Sequence, residues 1–370
     1  MPNRTPFYSF HQEHHAKLVD YAGWEMPLHY GSIIDEHHNV RTGAGIFDVS
    51  HMGRVKFSGR HARRFIEHVF TRRVTDMKAK SCRYGFVCNE AGGVLDDVIV
   101  YRFDDHFLMV CNAANREKLL AHFQSLVGEM SVKIEDQTES TGMVALQGPR
   151  VMEMIGKFSS EVPTLKRYAF TTKNLLILKL VISRTGYTGE DGVEVILPAK
   201  MTGMAIKLLL RDSGDLQVKP AGLGCRDSLR LEAGMPLYGH ELTESIDPIS
   251  AGLNFGVTLD KDKTEEGQPE IPRFIGQDAL EKIAAEGPTR KLVGLKLEGR
   301  RTPRQHMNVM HGDQAVGEVT SGCLSPTLGY PIAMAYVDNA QAAVGTNLTI
   351  DFGKQTVAAE IVPLPFYKHS

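Results

Sequence analysis

The stretch Asn89-Glu90-Ala91-Gly92-Gly93-Val94-Leu95-Asp96-Asp97-Val98-Ile99-Val100-Tyr101 constrains what this chain can fold into more than any other. Asn89 and the two glycines supply turn chemistry, and Val98 to Tyr101 is a β-branched and aromatic run that suits a pleated, buried surface. The pattern predicts a β-hairpin, with Cys82 to Cys88 as one arm and residues 94 to 103 as the other. Side chains alternate along a strand, so Val94, Asp96, Val98 and Val100 share one face and Leu95, Asp97, Ile99 and Tyr101 the other. Each face is apolar apart from one acid. A carboxylate on a buried face needs a partner, because an unpaired charge out of water is costly. Asp96 and Asp97 are therefore either a functional pair or two solvated acids just past a glycine turn, where Asp is common.

A chain of 370 residues can build two or three domains with clefts between them. Lys plus Arg number 42 and Asp plus Glu 44, a net charge of -2. No basic excess calls for nucleic acid, so the expected substrate is a small molecule or a protein. The five cysteines (Cys82, Cys88, Cys111, Cys225 and Cys323) are scattered and form no Cys-x-x-Cys pair, which argues against a disulfide framework or a structural zinc site. Met1 to Pro6 has no apolar signal region, and nowhere do 18 apolar residues run together. The expectation is a soluble, cytoplasmic protein with no membrane partner.

Near the start, His11, His14 and His15 have the spacing of one helix face and could hold a metal, but no fourth ligand is near. A polar helix surface is the preferred reading, and no metal is expected. Trp24 lies in a Gly- and Pro-bounded segment and is expected in the core. Residues 33 to 42 read as a helix stopped by Gly43-Ala44-Gly45, and Ile46 to Gly53 as a strand with polar insertions. Asp48, Ser50 and His51 cannot form a triad from an extended strand, because neighbours face opposite ways; His51 and Met52 remain as pocket wall. Residues 61 to 70 read as a helix, Phe107 to Cys111 as a strand, and Asn112 to Asn115 as the start of a helix over 116 to 127.

Thr141 to Leu146 is a further strand, and Leu175 to Ile182, apolar apart from Lys179, suits one central strand. It feeds Ser183-Arg184-Thr185-Gly186-Tyr187-Thr188-Gly189-Glu190-Asp191-Gly192-Val193-Glu194-Val195, whose three closely spaced glycines let a flat ligand approach. Glu194 then sits on a strand between two valines. An ordinary hairpin loop with acidic tips is the alternative. A helix is expected from about 201 to 212. Pro220 to Met235 predicts a helix opened by a Gly-rich turn, with Arg226 in its first turns, where a fork of donors can grip a carboxylate or a planar heterocycle. An intrahelical set of ion pairs with Arg230 competes with that reading. Leu259 to Pro272 reads as a linker, and short strands at 292–297, 315–320, 332–337, 347–350 and 356–362 predict a C-terminal barrel or sandwich. No Walker loop, GxGxxG or zinc motif occurs.

Taken together, YAGWEMPLHY, FDVSHMG, NEAGGVLDDVIVY, ALQGP, SRTGYTGEDGVEV, GLGCRDSLRLEAGMPLYGHEL and EVTSGCLSPTLGYPIAMAYV resemble the aminomethyltransferase (T-protein) family of the glycine cleavage system, in order and spacing over nearly the whole chain. The resemblance implies an α+β fold of three domains in a cloverleaf around a central folate channel. Their boundaries would be 1–52 with 141–245 (discontinuous and folate-binding), 53–140 with about 246–275, and 276–370 (a β-rich barrel). It implies transfer of the one-carbon unit of an aminomethyl group, carried on the lipoyl arm of the partner H-protein, to tetrahydrofolate. The products would be 5,10-methylenetetrahydrofolate, ammonia and the reduced arm.

Carried over residue by residue, the essential acid is the second Asp of the DD pair, Asp97. Glu194 resembles the acid that reads the pterin's amino-pyrimidine edge, and Arg226 the arginine that lines the folate site. Tyr84, Met52, Asn112 and Tyr187 fall where the family lines its pocket, with Tyr367 of the Pro-Phe-Tyr tail as a further contributor. A monomer is expected. Cys225 departs from the alanine frequent in relatives. The competing readings are another folate-dependent demethylase, or a non-catalytic folate-binding protein, whose KGCYxGQE cysteine motif is missing here.

Overall fold

A computed structural model describes residues 1–175, 178–211, 218–263 and 270–369. The fold is mixed α and β and divides into two compact units, each assembled from separated stretches of chain. One comprises Met1–Arg63, Asp76–Arg83 and Ile99–Leu229; the other comprises Arg64–Thr75, Tyr84–Val98 and Arg230–Ser370.

The first unit is organised by a six-stranded sheet in the order Phe170–Leu175, Leu178–Ser183, Gly192–Pro198, Thr141–Gln147, Ala44–Asp48, Val218–Pro220. Every residue of Ala44–Asp48 is buried, as a strand covered on both faces must be. The helix Ile33–Thr42 begins at Ser32, whose side chain accepts the Asp35 N–H, and carries Asp35 and Glu36 in its first turn, where acids suit the helix dipole. A second sheet pairs Gly53–Ser58 with His106–Cys111 on one side and Lys133–Asp136 on the other. Trp24, 6 % exposed, lies on a strand, Trp24–His29, that pairs with Lys17–Tyr21, so the Gly-bounded segment is a hairpin with its tryptophan in the core.

Three expectations change here. The apolar run from Leu175 to Ile182 is not one strand: Phe170–Leu175 and Leu178–Ser183 pair antiparallel with Leu175 opposite Leu178, and residues 176 and 177 lie outside the described residues. Apolarity marks a run as strand but does not say where it folds back. The segment from Ile46 to Gly53 is likewise two strands, because the Asp48 carboxylate accepts the Ser50 N–H at 2.8 Å and turns the chain before Gly53.

The histidine cluster is not a polar helix face. The helix is only Tyr8–Glu13, His15 has a left-handed φ of 52°, and His11 is fully buried. His11 Nε2 lies 2.9 Å from Asp48 Oδ2 and its Nδ1 2.7 Å from the Tyr30 hydroxyl, while Thr5 donates to the same Asp48 oxygen at 2.6 Å. No group of three metal-ligating side chains occurs among the described residues.

The second unit contains a closed six-stranded barrel in the order Arg290–Leu297, Pro331–Asp338, Gln314–Leu324, Asn308–His311, Asn347–Asp351, Thr356–Val362. The strand Asn308–His311 is short and carries no clear alternation, so the sequence pattern shows only the other five. The barrel is filled by Val293, Leu295, Val309, Val319, Ala335 and Ile350 among others. The stretch read as a linker is anchored at its start: the fully buried Lys261 ammonium donates to the carbonyls of Glu67 at 2.6 Å, Phe70 at 2.7 Å and Arg72 at 3.1 Å, and pairs with the Glu67 carboxylate. Residues 264–269 of that stretch lie outside the described residues. No described helix is long and apolar enough to cross a membrane.

Candidate active site

In the second unit the predicted hairpin is present, with arms Ser81–Cys88 and Val94–Arg102 that extend beyond this unit at their outer ends. Gly92 takes φ +85°, its N–H donates to the Asn89 carbonyl at 3.0 Å, and the Asn89 N–H donates to the Gly93 carbonyl at 2.9 Å. Gly93 passes so close to the Glu244 backbone that a Cβ there would lie 1.8 Å from its carbonyl oxygen. This turn sets the phase of the strand that follows. Val94, Asp96, Val98 and Val100 are all buried, whereas Asp97 and Ile99 on the opposite face are half-buried. Asp97 is thus the acid on the accessible face. The Tyr84 hydroxyl donates to Asp97 Oδ2 at 3.1 Å, and the Tyr84 ring stacks on Phe255 at 6.0 Å between centroids. The structure brings Asp97 and Tyr84 together as one polar pair on an aromatic wall. Tyr367 is half-buried on the tail after the barrel, its backbone N–H bonded to the Glu232 carbonyl at 2.8 Å.

The first unit assembles the other predicted residues. Glu194, 5 % exposed, stands on Gly192–Pro198 with Ser183 opposite on one neighbouring strand and Ala145 on the other. Thr185 Oγ1 donates to its Oε2 at 2.5 Å. Burial pushes the Glu194 carboxyl above the ordinary range, while the Thr185 bond and the charge of Arg226 pull the other way. The Arg226 guanidinium lies over the Tyr187 ring, 4.6 Å from its centroid, and its Nη1 is buried with no hydrogen-bond partner. An orphaned guanidinium donor is costly and marks a place for an acceptor.

The Gly-rich opening of that helix is required by its neighbours, since a Cβ on Gly222 would meet the Leu28 carbonyl oxygen at 2.4 Å. The loop that carries Tyr187 is pinned at both ends. Arg41 donates to the Thr188 carbonyl at 2.7 Å and to Glu190 Oε1 at 2.9 Å, Gln147 donates to the Thr185 carbonyl at 3.1 Å, and Arg184 pairs with Asp191.

Met52 and Asn112, both half-buried, flank the same end of a ladder, because Gly53 pairs with Cys111. Arg54, fully buried, donates to the carbonyls of Ser50 and Met52 and so fixes the corner that holds His51. Burial is the main reason His51 is held down to about 4; Asp48 opposes this, and Arg226 and Arg54 add to it, so the imidazole is neutral at pH 7.

Comparison with known proteins identifies the frame in which these residues sit. A family model described as the GCVT N-terminal domain matches residues 7–261, and one described as the glycine cleavage T-protein C-terminal barrel domain matches residues 290–368. The chain belongs to the glycine cleavage T-protein family. Aminomethyltransferases of Rubrobacter xylanophilus and Cutibacterium acnes are 45% and 41% identical to this T-protein, over 99% of its chain and 94% and 99% of theirs. The crystal structure of glycine cleavage system aminomethyltransferase T from Bartonella henselae matches with a TM-score of 0.89 at 31% identity, covering 100% of this chain and 99% of that one. This T-protein is an enzyme, an aminomethyltransferase of glycine catabolism, and a non-catalytic role is not favoured.

Sequence reading missed the scaffold behind the site. Arg41 and Gln147, which hold the Tyr187 loop, carry no local signal because their partners lie more than a hundred or about forty residues away. Phe255, 61 % exposed, gave none either. The hydroxyls of Ser183 and Thr185 did leave a trace: spaced two apart, they share one face of an extended chain.

Proposed function

We propose that this T-protein takes its aminomethyl group as a thioether on the lipoyl arm of an H-protein and passes the one-carbon unit to tetrahydrofolate. Carbon–sulfur and carbon–nitrogen bonds break, ammonia and the dithiol arm leave, and the carbon bridges two folate nitrogens as 5,10-methylenetetrahydrofolate. The observation that carries this reading is the buried Glu194 carboxylate in the field of a guanidinium, Arg226, whose Nη1 has no partner. An amino-pyrimidine edge presents N–H donors beside a ring carbonyl, and a carboxylate with an adjacent guanidinium is its complement. Tyr187, capped by Arg226, offers a flat surface to a ring. Met52 and Asn112 are assigned to the wall of the same site.

Asp97 is assigned the electrostatic part. Expelling a thiolate from an aminomethyl carbon passes through an iminium-like cation, which a fixed carboxylate stabilises without itself removing a proton. Tyr84 holds that carboxylate in one orientation through its 3.1 Å bond. Tyr367 is assigned to the folate tail. We further propose the three-domain division at 1–52 with 141–245, 53–140 with about 246–275, and 276–370, and a monomeric, cytoplasmic enzyme.

The test is turnover of tetrahydrofolate to methylenetetrahydrofolate and ammonia with aminomethyl-loaded H-protein. Asp97→Asn is expected to lose on the order of a hundredfold or more in kcat while retaining folate binding, and Asp96→Asn to lose stability instead, since that side chain is wholly buried. A folded wild type that binds folate but releases no ammonia would defeat the reading.

A further inference from the structure

Behind Glu194 lies a chain of three buried hydroxyls. Tyr101, fully buried, places its phenol oxygen 3.0 Å from Ser183 Oγ; Ser183 Oγ lies 2.8 Å from Thr185 Oγ1; and Thr185 Oγ1 donates to Glu194 Oε2 at 2.5 Å. Each hydroxyl has a single proton, so the polarity of the chain follows from its end. A carboxylate can only accept, so Thr185 spends its proton on Glu194 and must accept from Ser183, which in turn accepts from Tyr101. All three protons point toward the acid. Ser183 Oγ also lies 3.3 Å from the Glu194 carbonyl, the longer of its two options as a donor.

We propose that the Tyr101–Ser183–Thr185 chain is a positioning device that holds Glu194 as a fixed acceptor, so that the site selects a ligand edge presenting donors. This rests on the assignment of Glu194 to the pterin edge. Thr185 occupies one lone pair of Oε2, and Oε1 accepts no hydrogen bond among the described residues, leaving that oxygen and the second Oε2 lone pair for two parallel N–H donors. Protonating Glu194 would remove the acceptor that orders the chain: a neutral acid can itself donate to Thr185, and Thr185 and Ser183 can then turn, Ser183 toward the Glu194 carbonyl. The Thr185 bond, whose proton the chain aims at the acid, favours the charged form against the burial that favours the neutral one. The charged and titratable groups facing Glu194 are Arg226 from the helix Leu223–Glu232, and Cys82 and Tyr101 from the hairpin arms; the thiol and the phenol are both pushed well up by burial and stay protonated throughout the neutral range.

Binding of 5-formyltetrahydrofolate, measured calorimetrically from pH 6 to 9, tests this on the full chain. Wild type is expected to lose affinity as pH falls through the Glu194 ionisation. Thr185→Val, which keeps the shape and removes the hydroxyl, is expected to bind about tenfold more weakly at pH 7 and to lose affinity at a higher pH than wild type. Thr185→Ser should restore the wild-type profile, and Tyr101→Phe should move it in the same direction as Thr185→Val but less. Damage to packing alone would weaken binding evenly across pH. A Thr185→Val profile with the wild-type midpoint, while Glu194→Gln abolishes binding, overturns the positioning role and leaves the Glu194 assignment intact. Undiminished binding by Glu194→Gln, or none by wild type, overturns that assignment and this inference with it.

Discussion

Alanine at position 93 would bring its Cβ to 1.8 Å from the Glu244 carbonyl oxygen, 2.6 Å from the carbonyl carbon and 2.9 Å from Asn89 Nδ2. Relief requires the two backbones to part by more than about 1 Å, since non-bonded carbons rest at roughly 3.5 Å or beyond. That movement breaks the Asn89 Nδ2 bond to Glu244 at 2.9 Å and the bonds from the Val94 N–H to the carbonyls of Thr243 and Ile246, both 3.0 Å. With about 1 kcal/mol net for each of the three bonds and about 1–3 kcal/mol for a buried group left unpaired, Gly93→Ala should cost about 4–6 kcal/mol. Gly92→Ala is the internal control. Its nearest neighbour is Leu280 Cδ2 at 3.0 Å, the end of a flexible side chain, so its cost is the left-handed φ of +85°, about 1–2 kcal/mol. Urea unfolding of both variants, read as midpoint and slope, measures the difference. Because the strand from this turn carries Asp97 four residues on, turnover by Gly93→Ala should fall by more than its folded fraction. Equal midpoints for the two variants would refute the steric argument.

Removing the Tyr84 hydroxyl leaves Asp97 without that donor, so Tyr84→Phe should lower kcat about tenfold with little change in folate affinity, measured by steady-state turnover. His51 takes a proton at about 6.5 when unfolded but only at about 4 when folded, so between those values the unfolded chain holds the extra proton and stability falls as pH drops. The loss should reach roughly 2 kcal/mol by pH 5, and His51→Gln should flatten the fall in thermal midpoint between pH 7 and pH 5. Arg230, buried and 2.8 Å from the buried Glu241, leaves an uncompensated charge when replaced, so Arg230→Met should cost about 3–5 kcal/mol in chemical denaturation, and adding Glu241→Gln should recover part of it.

Local chemistry explains which parts of this structure could be read from the sequence. The Asn89–Gly93 turn, the alternation that sets Asp96 and Asp97 on opposite faces, the helix that carries Arg226 and five of the barrel strands are all written in spacings of a few residues. Long-range pairing is not. Nothing beside His11 announces Asp48, and the apolar stretch around residue 178 looks the same whether the chain runs straight or folds back. The candidate site residues were legible as types, an acid on a buried strand and an arginine after a glycine turn. The pairings that set their behaviour, Thr185 to Glu194 and Tyr84 to Asp97, became visible only through register and hydrogen bonds.

The barrel closes by pairing its first strand with its last, Gly294 to Leu297 against Ala359 to Val362. A chain emerging from the ribosome in order would therefore expose two raw sheet edges, Arg290–Leu297 and Asn347–Asp351, until the strand Thr356–Val362 was free to zip between them. Nascent chains stalled or truncated before Thr356 should be the sticky, chaperone-dependent form of this protein, and emergence of the strand Thr356–Val362 the event that makes the barrel self-sufficient.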